Sequence, residues 1–147
     1  MARHASAMAR AGGVVLLLSL WLPWFTLRVS TGLALLSVRH VDTGWEALDL
    51  AQGALVAALA LAAVVWSVRP GPPMSGAWVV AGGALALMAT MGATIARVGA
   101  EQPGGGAVVR TTSPAYGLVL AYGGGLAVLL AGLITLVAYA RERTGSA

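Results

Sequence analysis

SLWLPWF, residues Ser19 to Phe25, closes an unbroken apolar run and gathers two tryptophans, a proline and the chain's single phenylalanine within seven positions. Proline at position 23 has no N–H, and in a helix its ring would collide with the carbonyl of Ser19, so a helix reaching this point kinks or ends. Tryptophan favours the membrane–water boundary, where an apolar ring carries a polar N–H into the headgroup layer. SLWLPWF therefore reads as a helix stop and a membrane anchor.

The composition around it agrees. The chain has 147 residues, 59% of them hydrophobic and 10% charged, and a mean hydropathy of +0.84. A soluble domain spends roughly 25% of its residues on charge, so most of this surface faces something other than water. The net charge of +4 sets nine arginines, spread singly along the chain, against five acidic residues. No basic patch forms in sequence, which argues against a nucleic-acid partner. The chain has no cysteine, and this excludes disulfides, thiolate metal ligands and a thiol nucleophile.

Charged residues divide the chain into four apolar runs of 17 to 26 residues, the length a helix needs to cross the hydrocarbon. The expectation is an all-α membrane protein with four transmembrane helices in one domain, over approximately 11–28, 46–68, 76–96 and 115–140. A cleavable signal peptide fits the first run less well, because Pro23 interrupts it and no small-x-small site follows. The arginine bias is five against four in favour of the side carrying Arg3, Arg10, Arg69, Arg141 and Arg143. Those segments are short, so both termini are expected in the cytoplasm of a cell with a plasma membrane. Heavy use of Ala, Gly, Val and Arg points to a bacterial source.

With that topology Trp21, Trp24, Trp45 and Tyr116 sit at the outer boundary, and Trp66, Trp78 and Tyr139 at the inner one. Trp45 to Trp66 covers roughly 31 Å at 1.5 Å per residue, close to the thickness of the bilayer core. The outer loops hold a Ser30-Thr31-Gly32 turn and a Pro103-to-Gly106 turn between β-prone residues, so both loops are expected to form small β-hairpins that together make a small sheet over the outer ends of the helices. An offset of 70 positions aligns Ala11-Gly12-Gly13 with Ala81-Gly82-Gly83. The same offset makes six of twelve residues identical between Leu48–Leu59 and Leu118–Leu129. Duplicated helix–loop–helix halves, 11–69 and 81–140, would explain this, and shared composition is the simpler alternative.

Few polar residues suggest chemistry. Thr43 and Glu46 precede the second apolar run with the spacing of a capping box. Asp49 and Gln52 lie three residues apart at the outer end of the second span, and an ionisable group in a span carries a functional hypothesis together with its partner. The expected partner is an arginine of the outer side, Arg97 or Arg110 among them. Tyr122, beside Gly123-Gly124-Gly125, would fill space or line a cavity. A Ser37-His40-Asp42 triad has only proximity in its favour, and Asp42, Glu46 and Asp49 match no cation-binding spacing. No haem ligand lies within a span. Neither a cofactor nor a metal is expected, and no catalytic residue stands out. Small residues at four-residue spacing, Ala54-Ala58-Ala62, Gly82-Ala86-Thr90 and Gly117-Ala121-Gly125, suit close helix packing or self-association.

Ser19, Leu20, Leu22, Pro23 and Trp24, followed by Gly44, Trp45, Glu46 and Ala47, resemble a group of small bacterial four-helix membrane proteins. In that group the first helix ends in Ser-Leu-x-Leu-Pro-Trp and the second opens near Gly-Trp-Glu-Ala. The group has no established activity, so the resemblance implies topology and no reaction. Claudins are similar in outline only, since their outer-loop cysteine pair is missing. The expected function is that of a non-enzymatic envelope interaction or accessory protein, in contact with the lipid bilayer and with a protein partner or a second copy. The alternative is a small oligomeric transporter or channel that uses Asp49, Gln52 and Tyr122.

Overall fold

A computed structural model describes residues 2–31, 37–68, 75–99 and 108–144. The order of elements is helix α1 (Ala2–Ser19), strands β1 (Pro23–Thr31) and β2 (Ser37–Thr43), a single-turn helix α2 (Gly44–Ala47), helices α3 (Leu50–Val68) and α4 (Ser75–Gly99), strand β3 (Val108–Pro114), and helix α5 (Tyr116–Thr144). Three helical segments are long and apolar enough to cross a membrane: Leu50–Val68, Gly76–Arg97 and Tyr116–Thr144. Their outward faces carry exposed Leu61, Val65, Leu85, Met88, Ile95, Leu126 and Val137, which fits a membrane protein.

The first helix differs from the expected 11–28. It begins at Ala2, taking in Arg3, His4 and Arg10, and stops at Ser19. Ala2, Ala5, Ala7, Ala9 and Ala11 favour helix, and Ala5 and Ala9 are buried, so these cations do not end it. At the other end three successive i→i−3 backbone bonds tighten the chain: Leu20 to Leu17, Trp21 to Leu18 and Leu22 to Ser19. Proline 23 cannot supply the N–H that would bond the Ser19 carbonyl in a continuing helix. The Trp24 indole Nε1–H supplies it instead, at 2.7 Å.

Trp24 is consequently buried, 0% exposed, and is a core residue rather than the boundary anchor expected from its type. The second long helix starts at Leu50, four residues later than expected. Leu48 N–H closes the α2 turn on Gly44 O at 3.1 Å, and the backbone at Leu48 is extended.

The loops also depart from an all-α fold. β1 and β2 form the expected first hairpin, antiparallel from Phe25↔Asp42 to Ser30↔Ser37, with a register shift between Phe25 and the Pro23↔Thr43 pair. The second loop contributes β3, which pairs antiparallel with β1 from Phe25↔Pro114 to Thr31↔Val108. One sheet of order β2-β1-β3 results, so the two loops share the small sheet expected of them. Residues 100–107, with the Pro103-to-Gly106 turn, lie outside the described residues, as do 32–36 and the short connection 69–74.

Helix α1 packs against α3 and α5, and α4 packs against the same two helices. Glycines set the spacing. A Cβ on Gly83 would come within 2.6 Å of the Leu129 backbone nitrogen, and one on Gly12 within 2.8 Å of the Gly124 carbonyl oxygen. At the sheet end Leu16, Leu20, Trp24, Phe25, Val56 and Leu118 share one core. The α3–α4 seam is looser, and a groove of about 120 Å³ opens there, lined by residues such as Trp66, Trp78, Gly82 and Val128.

Candidate functional site

Among the described residues one charged clasp joins the sheet to the helices. Phe25 and Asp42 are register partners at the helix end of β1 and β2, and both are buried. Asp42 Oδ2 meets Arg97 Nη1 of α4 at 3.1 Å, and Asp42 Oδ1 meets His40 Nε2 at 3.0 Å. Arg97 Nη2 also donates to the backbone carbonyl of Glu46 at 2.9 Å. One guanidinium thus holds β2, α2 and α4 together, and both oxygens of a nearly buried carboxylate are occupied.

Arg97, one of the outer arginines expected to pair with Asp49, pairs with Asp42 instead. Asp49 caps α3. Its Oδ1 accepts the Gln52 N–H at 2.7 Å, and its carbonyl accepts the Gly53 N–H at 2.8 Å, so Asp49 satisfies backbone donors at a helix start. Asp49 and Gln52 are both exposed; Gln52 joins Asp49 through its backbone.

The capping box of Thr43 and Glu46 is present. Glu46 Oε2 accepts the Thr43 N–H at 2.7 Å and the Thr43 hydroxyl at 3.0 Å. These two bonds hold the Glu46 carboxyl below its ordinary pKa, with smaller help from His40 and Arg97. The box caps the single turn α2 and not a long helix. That turn lays the Trp45 ring over Gly53, where a Cβ would approach Trp45 Cε3 to 2.7 Å. Trp45 also meets Trp21 edge to face, with ring centroids 5.7 Å apart.

Tyr122 is partly buried between α5 and α4. Its hydroxyl lies 3.0 Å from Thr94 Oγ1, and Thr94 in turn donates to the Thr90 carbonyl at 2.8 Å, so Tyr122 is the donor between the two hydroxyls. It shares no hydrogen bond with Asp49 or Gln52, and the three residues do not form one polar site. Arg110 is a register partner of Val29 in the sheet; its side chain lies outside the described residues, as does that of Ser37. Trp21, Tyr116 and Trp78 are strongly exposed at helix ends, and Trp45, Trp66 and Tyr139 are half-buried. The Arg143 guanidinium stands 5.0 Å from the Tyr139 ring centroid.

Two small-residue rows, Gly82-Ala86-Thr90 and Gly117-Ala121-Gly125, are buried in helix contacts. The third, Ala54-Ala58-Ala62, faces outward.

The clasp and the Thr94–Tyr122 pair escaped the sequence reading. Asp42 and Arg97 are 55 positions apart, and no local pattern marks them as partners. Alternation along HVDT places His40 and Asp42 on one face of a strand, and this was the available signal. Among the described residues no group of three or more His, Cys, Asp or Glu side chains is placed to hold a metal ion. No protein-family model matches the chain, and no curated protein matches it.

Proposed function

We propose that this chain is a multi-pass protein of a bacterial plasma membrane, with four crossings, both termini in the cytoplasm, and a non-enzymatic role as an accessory or interaction protein of the cell envelope. Support for the fourth crossing comes from packing. Gly12 and Gly13 of α1 lie directly on α5 and α3, and the Arg10 Nε–H reaches Ser67 Oγ near the end of α3 at 3.3 Å. The sheet lies at the opposite end from both termini, on the outer side in this reading.

Duplicated halves are part of the same proposal. Gly12 abuts α5 and Gly13 abuts α3, whereas Gly82 abuts α3 and Gly83 abuts α5. Exchanging the two halves maps each contact onto its counterpart. The offset of 70 also carries β2 onto β3 to within one residue.

One observation carries the functional reading. The described acidic residues near the sheet, Asp42, Glu46 and Asp49, are all engaged in holding elements together. The outward faces of sheet and helices remain as the surfaces that meet something else. The test is native mass spectrometry of the protein gently extracted from its own membrane without overexpression. A stoichiometric second polypeptide is the expected result. A pure homo-oligomer retaining a small molecule would overturn the accessory role in favour of transport.

A further inference from the structure

Arg28 of β1 and Arg39 of β2 are direct register partners. Both side chains are exposed. Opposed residues of an antiparallel pair bring their Cβ atoms to about 4.5–5.5 Å, and like charges there are destabilising. The ion pairs among the described residues involve His40, Asp42 and Arg97, so no described carboxylate neutralises this pair. Thr111 of β3 faces Arg28 from the other side, which makes an Arg39–Arg28–Thr111 row across all three strands.

The row looks away from the helices. Side chains alternate along a strand, and the opposite face carries Phe25 and Asp42, which are buried against the helices. Thr26, Val41 and Ser113 form the next row on the arginine face; Val41 and Ser113 are exposed and flank a buried Thr26. Two adjacent cations with a hydroxyl beside them and no anion among the described residues are stabilised when an external anion bridges them.

We propose that this row binds an acidic segment of a partner protein, its carboxylates bridging Arg28 and Arg39. The proposal rests on the accessory role and names its docking surface. A protein partner is favoured over lipid on two grounds. Arg28 is three residues beyond Phe25, or roughly 10 Å along the strand away from the helix core. Its surroundings are Val41 and hydroxyls, whereas lipid-headgroup sites gather about four to eight basic residues.

The test uses the full chain in nanodiscs of neutral phosphatidylcholine, titrated with a fluorescent decaglutamate peptide. Wild-type protein binds the peptide, and binding weakens as ionic strength rises from about 0.05 to about 0.5 M. Arg39→Glu lowers affinity at least about tenfold. Its melting temperature stays at or above wild type, because an opposite-charge pair replaces a like-charge pair. If Arg39→Glu does not fold, the Arg28→Gln/Arg39→Gln double variant carries the comparison, with the same loss expected.

Absent wild-type binding, or undiminished binding in the variants, overturns the proposal. So does binding of phosphatidylglycerol vesicles through this row without peptide binding. Should a second polypeptide still co-extract with the chain in any of these cases, only the arginine row fails and the accessory role stands.

Discussion

Ser19 has a carbonyl whose i+4 donor is missing, and a second donor lies one residue beyond the proline that removes it. The buried Trp24 indole donates to it at 2.7 Å, while Leu22 N–H approaches at 3.1 Å. Trp24→Phe keeps most of the apolar volume and removes this donor, so stability in detergent should fall by about 1–3 kcal/mol. Chemical unfolding followed by circular dichroism checks it. Glu46 offers a second local prediction. Its carboxyl is held below the ordinary value of 4.5 by Thr43. A depressed folded-state pKa contributes stability that is present above the unfolded value and is lost as pH falls through the folded one. The α2 turn should therefore loosen in acid, below pH 4.5, reported by the fluorescence of Trp45 against Trp21. In Glu46→Gln that acid transition should disappear.

Helix seams are set by whether a glycine meets backbone or side chain. Gly83 lies against the Leu129 backbone at 2.6 Å for an added Cβ, whereas Gly82 meets only the Leu59 side chain, at 3.4 Å. Gly83→Ala should cost about 1–3 kcal/mol, because backbone cannot step aside as a rotamer does. Gly82→Ala, in ordinary van der Waals contact beside the α3–α4 groove, should change stability by less than about 0.5 kcal/mol. Thermal melts of the two variants in one detergent decide this. The small-residue spacing announced close packing along α4 and α5. It did not distinguish those rows from the outward Ala54-Ala58-Ala62 row, since spacing shows that a face is smooth and not what lies against it.

At the scale of the molecule, the sheet and the helices are joined across Arg97. Arg97→Gln would leave the Asp42 carboxylate, 9% exposed, with His40 alone. The expected loss is ~1–3 kcal/mol, less than for a fully buried pair because the Arg97 side chain is 40% exposed. Hydrogen exchange should quicken first in β2 and α2, with α3 and α5 little changed. Uniform exchange across the chain would show that the clasp does not couple the sheet to α4.

The sequence by itself determined the apolar runs, the stop near Pro23, the Thr43–Glu46 cap and the first hairpin. These depend on composition or on partners within a few residues, so the physics that makes them is written locally. Only the tertiary structure decided that the first helix starts at Ala2 and that Trp24 turns inward. It also decided that β3 joins β1 and that Arg97 pairs with Asp42 while Asp49 caps α3. The joining of β3 to β1 and of Arg97 to Asp42 depends on groups far apart in sequence competing for one partner, a strand edge or a buried carboxylate; the turns at Trp24 and Asp49 depend on which nearby donor reaches a freed carbonyl or carboxylate. Which competitor wins is decided by proximity, and proximity exists only once the chain has folded.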